Sequence, residues 1–389
     1  MSEKLKIAFY SDSFLPAQDG VVSSMLNFRS ELHRRGHEVY VFASGNKSTR
    51  QIMREDDRVF VVRSIKFKKY PQYNFAVFPY FNSRKVNEIS MDVIHAHTPF
   101  FMGLSALVAG KLNMIPTVGT FHTMFTEKTV INEYISSNRF VGGIAHKAAW
   151  PYARFFYNRC NVVTAPTATI KNMLADNGIG EAVVVPNSVD TNRFNPKMAD
   201  PELKGRLLRR GNKHMVLYVG RLSREKQLTT LLKAMKRLRG KCVECVIVGT
   251  GPAERYYRSV AKRLHLDNVR FTGFVPRDEL PKYYASSDVF CIPSIFETQG
   301  IVSLEAMASG KPVVGADYLA LGELIKDGEN GEKFAPGDSI ACARKIEKVL
   351  YNIGSYNTMR ETAAEFSIRR ATDKLLNTYK KAIDAMTLS

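Results

Sequence analysis

Two carboxylates, Glu297 and Glu305, stand in the stretch FETQGIVSLEAMASGKPVV (296–314), with Gly300, Ile301 and Val302 between them. Such a pair can accept hydrogen bonds from the hydroxyls of a polar ligand at two separate points. On one continuous helix they would lie about 12 Å apart along the axis. The preceding run VFCIPS reads as a strand ended by Pro293, and IVSLEAMAS reads as a helix stopped by Gly310 and Pro312. Glu297 is therefore expected in the loop and Glu305 in the helix, with the loop curling Glu297 back over the helix start. The opening amides at Gly300, Ile301 and Val302 then face an anion between the carboxylates, and Gly300 lets that anion approach closely. A plainer reading stays open on spacing alone: Glu297 complements the helix dipole and Glu305 is an exposed helical residue.

Three further stretches carry compatible chemistry. GRLSREKQ puts Arg221 and Lys226 just after a strand, where a guanidinium can fork two phosphate oxygens and an ammonium adds a point charge. Solvated basic residues at a strand end are the alternative. In PAQDGVVSSM, Gly20 opens a helix that would point its amides at the same ligand cleft from the other half of the chain. TFHTMFTE places His122 at the end of a buried strand, as a ligand contact or as a structural histidine. His95 and His97 in DVIHAHT share one strand face and have two of the ligands a metal needs, but lack a third nearby; the favoured reading is that they line the cleft.

The elements that must position these groups follow from the apolar runs. LKIAFYSD (5–12), HEVYVFAS (37–44), RVFVVRS (58–64), DVIHAHT (92–98), PTVGTFHT (116–123), NVVTAPT (161–167) and AVVVPNS (182–188) are separated by helix-length segments. HMVLYVGRL (214–222), VECVIVGT (243–250), NVRFTGFV (268–275), DVFCIPS (288–294) and KPVVGAD (311–317) restart the pattern. Near-continuous Val/Ile runs of this kind argue for parallel sheets covered on both faces. The expected fold is α/β: two tandem Rossmann-like, doubly wound parallel-sheet domains facing across a cleft, with ligand at the carboxyl ends of the strands. The expected boundaries are a first domain at 1–190, a linker at 191–213 rich in proline and charge, a second domain at 214–368, and a helix at 369–389 that packs back on the first domain.

A chain of 389 residues with 45% hydrophobic content can bury more than one core. No apolar run approaches the roughly 20 residues that cross a bilayer, and the opening MSEKLKIAFYSDSF is too polar for a signal peptide. A cytoplasmic protein is expected. The cysteines Cys160, Cys242, Cys245, Cys291 and Cys342 are odd in number and sit among apolar neighbours, which suits buried strand thiols better than a disulfide framework or a metal site. A net charge of +19 indicates an anionic partner: nucleic acid, an anionic membrane or a phosphorylated ligand.

Taken together, FETQGIVSLEAMASGKPVV, YVGRLSREKQ, VVPNSVDTNRFNP and SFLPAQDGVVSSM resemble the retaining glycosyltransferases of family 4, which have the GT-B fold, over essentially the whole chain. The wording ETQG and HTPFFMGLSAL is similar to the branch acting on diacylglycerol or related membrane lipids. The resemblance implies that Glu305 holds the ribose of a nucleotide-sugar and Glu297 the sugar hydroxyls. It also implies that Arg221 and Lys226 neutralise the diphosphate and that His122 meets the sugar near its reacting carbon. His122, Arg221, Lys226 and Glu297 are the expected catalytic group; Gly20, Arg221, Lys226, Glu297, Gly300, Ile301, Val302 and Glu305 are the expected donor site. Two departures stand out: Asp19-Gly20 replaces a common glycine pair, and Asn187-Ser188 replaces a common Asn-Gly.

Breaking a glycosyl diphosphate bond builds negative charge on the leaving phosphate, which Arg221, Lys226 and helix amides can stabilise. The chain has no Asp-x-Asp pair, so neither a metal nor another cofactor is expected. The segment RSIKFKKYPQYNFAVFPYF (63–81) interleaves Arg63, Lys66, Lys68 and Lys69 with aromatics including Tyr70, and RFVGGIAHKAAWPYARFFYNR (139–159) carries the single tryptophan, Trp150. These residues are the expected acceptor and membrane side, opposite a nucleotide-sugar side in the second domain; core aromatics with a solvated lysine rim are the alternative. The expected reaction moves a hexose, glucose from UDP-glucose, to a membrane lipid such as diacylglycerol at the inner face of the membrane. The alternatives are a soluble acceptor such as a sugar phosphate or polyol, a nucleotide-sugar epimerase, and a basic nucleic-acid-binding protein. No nucleic-acid-binding motif is present, so nucleic acid is not an expected partner. The oligomeric state is not legible.

Overall fold

The computed structural model describes residues 4–17, 19–67, 70–76, 82–128, 130–131 and 139–387. The chain forms two compact units: Met1–Ser188 with Ile368–Ser389, and Val189–Ser367.

In the first unit eight strands form one sheet: β1 (Lys6–Ser11), β2 (Glu38–Gly45), β3 (Val59–Phe67), β4 (Tyr70–Ala76), β5 (Val93–Ala96), β6 (Thr117–Thr120), β7 (Val162–Ala165) and β8 (Ala182–Val184). Their order is β4-β3-β2-β1-β5-β6-β7-β8. All neighbours are parallel except β3 and β4, which pair antiparallel at the edge. The central strands read as unbroken apolar runs because both faces are covered; Ile7, Phe9, Val41, Val93 and Val118 are fully buried. Winding starts at β1 and proceeds first toward β4, then toward β8, so the order reverses between β1 and β5. The basic, aromatic segment after residue 63 turns out to be strand: Ser64 pairs with Ala76 and Lys66 with Asn74. Lys68 and Lys69 lie outside the described residues, as do the side chains of Arg63, Lys66 and Tyr70.

The second unit has six parallel strands: β9 (His214–Val219), β10 (Val243–Val248), β11 (Val269–Gly273), β12 (Val289–Ile292), β13 (Val313–Ala316) and β14 (Gly331–Phe334). The order β11-β10-β9-β12-β13-β14 reverses between β9 and β12. Residues 191–213 are not an extended linker. They hold the 3-10 turn Pro196–Met198 and the helix Pro201–Leu207. Asp200 caps that helix through the Leu203 amide at 2.9 Å, and Lys204 pairs with Asp288 at 2.8 Å, which ties the stretch to the second unit.

The helix Ile368–Thr387 belongs to the first unit, where Ala371, Leu375, Tyr379 and Ala382 enter its core. Cys245, Cys291 and Cys342 are buried, but Cys242 is exposed and precedes β10 with φ 58°, so it is not a buried strand thiol. All five thiols are free.

Candidate functional site

In a doubly wound sheet, loops diverge at the point of strand reversal and leave a crevice beyond the strand ends. In the second unit that point lies between β9 and β12, and the loops after these two strands carry the residues singled out above. Val219 ends β9, and Arg221 follows half-buried in the loop, its carbonyl accepting from Tyr218 OH at 3.1 Å. Lys226 closes the 3-10 turn Arg224–Lys226 and reaches across the reversal to Glu297 Oε1 at 2.7 Å. Burial works against the Lys226 ammonium, but Glu297 and Glu225 outweigh it and hold its pKa above the ordinary range, with Arg221 pulling the other way. Two cations and a carboxylate thus gather at the ends of neighbouring strands.

Glu297 lies in the loop after β12, and the helix Ile301–Ala308 opens at Gly300, which takes φ 79° and ψ 59°. That left-handed conformation favours glycine, and an added Cβ would also meet Leu321 Cδ2 at 2.9 Å. The first-turn amides at Ile301 and Val302 have no intrahelical acceptor, the ordinary state of a helix start. Glu305 is not an exposed helical residue. Its carboxylate accepts from Tyr284 OH at 2.7 Å, and burial pushes its pKa up to about 7, against the pull of Tyr284, Arg277 and Arg193. Tyr284 is wedged between Phe194 and Phe290, each 5.6 Å away between ring centroids.

The Arg221 loop is fastened to the loop after β10 by main-chain bonds. Leu222 N donates to Thr250 O at 3.0 Å and Ala253 N to Leu222 O at 2.8 Å. The closeness depends on Gly249, at φ 130°, where a Cβ would fall 2.0 Å from Gly220 O. We expect Gly249→Ala to lower unfolding stability by about 3 kcal/mol or more, since the clash is with backbone and φ is wrong for alanine; urea denaturation of the variant against wild type checks it.

In the first unit the strand reversal falls between β1 and β5. Asp12 beyond β1 accepts from Thr98 Oγ1 at 2.6 Å and from the Met102 amide at 3.1 Å, bridging the two strand ends. Burial raises the Asp12 pKa to about 6 in spite of those bonds. Gly20 is the first residue of the helix Gly20–Arg34, but Asp19 caps it: the Asp19 carboxylate takes the Val22 amide at 2.9 Å and the Ser13 hydroxyl at 2.7 Å. His122, past β6, contacts His97 through Nε2 and Nδ1 at 3.1 Å. Both ring nitrogens of His95 are engaged, by Tyr379 OH at 2.7 Å and Thr120 Oγ1 at 2.6 Å. Among the described residues no group of three metal-binding side chains forms.

One family model, Glycosyltransferase Family 4, matches residues 18–193, and a second, Glycosyl transferases group 1, matches residues 199–366. The chain belongs to glycosyltransferase family 4. Among relatives of this glycosyltransferase, an alpha-monoglucosyldiacylglycerol synthase of Acholeplasma laidlawii is 27% identical over 86% of this chain and 86% of its own. A sulfoquinovosyl transferase of Arabidopsis thaliana is 32% identical over 76% of this chain and 58% of its own. A GDP-mannose-dependent alpha-mannosyltransferase of Corynebacterium glutamicum is 28% identical over 84% and 76%. Among solved structures, Anabaena HepE in complex with UDP and glucose aligns at TM-score 0.74 with 20% identity, covering 97% of this chain and 99% of that one. The architecture is the GT-B fold.

The sequence reading of this glycosyltransferase missed several residues of the site. Arg193 and Arg277 act electrostatically on Glu305, Tyr284 holds its carboxylate, and Glu225 supports Lys226. Only Glu225, inside the REK triplet, had a local signal. Trp150 is half-buried, its ring parallel to Phe121 at 6.4 Å. The outward face of the helix Arg139–Tyr157 is instead Ile144, Ala148, Pro151 and Phe155, spaced at helical intervals and flanked by exposed His146, Lys147, Arg154 and Arg159.

Proposed function

We propose that this glycosyltransferase moves a hexose, with glucose the favoured sugar, from a UDP-sugar to a hydroxyl of a membrane lipid of the diacylglycerol type, with retention of configuration. The Lys226–Glu297 pair with Arg221 at the β9–β12 reversal supports the donor half of this reading, because it offers two cations to a diphosphate, and Glu297 and the buried Glu305 of the helix after β12 offer carboxylates to hydroxyls. Glu305 takes the ribose and Glu297 the sugar hydroxyls, displaced from its pairing with Lys226 when the donor arrives. The bond from the anomeric carbon to the diphosphate oxygen breaks with its electron pair going to the diphosphate. The acceptor oxygen bonds the same face of that carbon, and its proton passes to the departing phosphate oxygen. Arg221 and Lys226 stabilise the developing charge, and His122 orients the sugar.

The outward stripe of the helix Arg139–Tyr157 supports the lipid half. Ile144 and Phe155 are 56% and 45% exposed, and Arg159 lies 3.9 Å from the centroid of the Phe155 ring. An apolar stripe with cationic flanks suits the interface of an anionic bilayer, each basic residue near it contributing about 1 kcal/mol. No described helix is long and apolar enough to cross a membrane, so contact of this kind would be peripheral.

The test incubates the enzyme with radiolabelled UDP- and GDP-sugars and either a lipid extract or soluble sugar phosphates and polyols, followed by thin-layer separation. Label in a lipid product from UDP-glucose is expected, and label confined to soluble products would overturn the lipid acceptor. On flotation at low salt the protein is expected to rise with anionic vesicles and far less with neutral ones. Ile144→Glu with Phe155→Glu should lower the bound fraction several-fold; equal recovery on both vesicle types counts against the membrane surface.

A further inference from the structure

His97 has no role in the reaction as described, yet it is fully enclosed at the end of β5. Its ring packs against Phe9, with centroids 4.6 Å apart, and against His95 at 4.0 Å, and it lies nearly parallel to His122 at 5.4 Å. Its Nδ1 stands 3.1 Å from His122 Nε2, and its Nε2 has no hydrogen-bond partner among the described residues. His95 cannot serve as an alternative partner, because Tyr379 and Thr120 occupy both of its nitrogens.

Two nitrogens at that distance need one proton and one lone pair between them. Burial holds all three imidazoles neutral at neutral pH: it takes His122 down to about 4 and puts His95 and His97 well below the ordinary range, where the neighbouring imidazoles lower them further. A neutral His97 carries its proton on one nitrogen only. If His122 were the donor, the His97 proton would sit on Nε2, a buried N–H with nothing to bond, at a cost of about 1–3 kcal/mol. With the proton on Nδ1, His97 donates to His122 and leaves a bare acceptor on Nε2, a defect that folded proteins tolerate more readily than an orphaned N–H.

We propose that His97 is a positioning residue that donates from Nδ1 to His122 Nε2 and thereby locks His122 in the tautomer with its proton on Nδ1. His122 Nε2 is then the acceptor in that bond, which rules out a role as general base through it, and Nδ1 carries an N–H of the polarity that suits a sugar oxygen. The functional half of this rests on the reading of His122 as a sugar contact; the tautomer itself does not.

The experiment has two readouts on the full-length protein. Long-range 1H–15N spectra of histidine-labelled enzyme, with His122 assigned by His122→Ala, are expected to show a protonated Nδ1 and a bare Nε2. A His122 proton on Nε2 would overturn the proposal without any substrate being present. In kinetics, His97→Leu is expected to lower kcat by about tenfold or more while the donor KM stays within about twofold. His97→Asn, whose amide nitrogen can stand in for Nδ1, is expected to recover most of that loss. Wild-type kcat in the Leu variant, or an Asn variant as impaired as a folded Leu variant, would overturn it. Should the Leu variant fail to fold, the wild-type spectrum and the Asn variant still decide. Wild-type kcat in His122→Ala would overturn the placement of His122 at the sugar, leaving the tautomer standing.

Discussion

Replacing Arg221 by alanine is expected to lower turnover by about 10²-fold or more at saturating donor. The loop beyond β9 holds two cations, and Arg221 is close enough for its field to act on the Lys226 ammonium. A preorganised charge aimed at a leaving group costs nothing to reorganise as the bond breaks, and removing one such group from an enzyme site typically costs 10²–10³-fold in kcat. Arg221→Lys should restore only part of the loss, because an ammonium cannot fork two phosphate oxygens. The main-chain bonds between the 220–222 and 249–253 stretches do not depend on this side chain, so the variant should fold as wild type does. Single-turnover rates with radiolabelled donor provide the measurement, and an unchanged rate removes Arg221 from the leaving-group role.

The second large effect belongs to Glu305. A hydrogen bond to a charged acceptor contributes about 1.5–3 kcal/mol, so Glu305→Ala should raise the donor KM about tenfold or more. Its pKa near 7, set mainly by burial, gives the effect a pH signature. The ionised carboxylate is the better acceptor, so wild-type donor affinity should climb as pH rises through 7, and Glu305→Gln should flatten that climb. Stability should move the opposite way. The unfolded chain loses this proton near the ordinary value of 4.5, while the native state keeps it to about 7, so the native state binds more protons between those values. Unfolding free energy therefore falls as pH rises across that window, and Glu305→Gln should remove this part of the fall. Donor titrations and urea midpoints at pH 5 and 7.5 distinguish the two trends; a pH-independent affinity in wild type would remove the assignment.

Much of the scaffold was legible because buried parallel strands leave a simple mark: Ile7 to Phe9, Val216 to Tyr218 and Val289 to Ile292 are apolar on both faces. Strand β14 left no such mark. It reads Gly-Glu-Lys-Phe, and its buried Glu332 is accommodated only because Lys345, Lys348 and Tyr356 converge on it from elsewhere. Strand β4 was hidden by Pro71 and polar residues, which an edge strand tolerates. In the site, the loop position of Glu297 and the helical position of Glu305 followed from local punctuation. The Lys226–Glu297 pair, 71 residues apart in sequence, and the convergence of Tyr284 and Arg277 on Glu305 arise from strand order, which no local pattern encodes.

The membership of Ile368–Thr387 in the first unit bears on how the protein is made. The second unit is contiguous, and its ends are zipped together where Val189 N donates to Phe366 O at 3.0 Å. The first unit lacks Leu375, Tyr379 and Ala382 until the stretch that follows the second unit leaves the ribosome. Synthesis from the amino end therefore does not complete the amino-terminal half first. That unit waits, with part of its interior uncovered, until the whole second unit has been made.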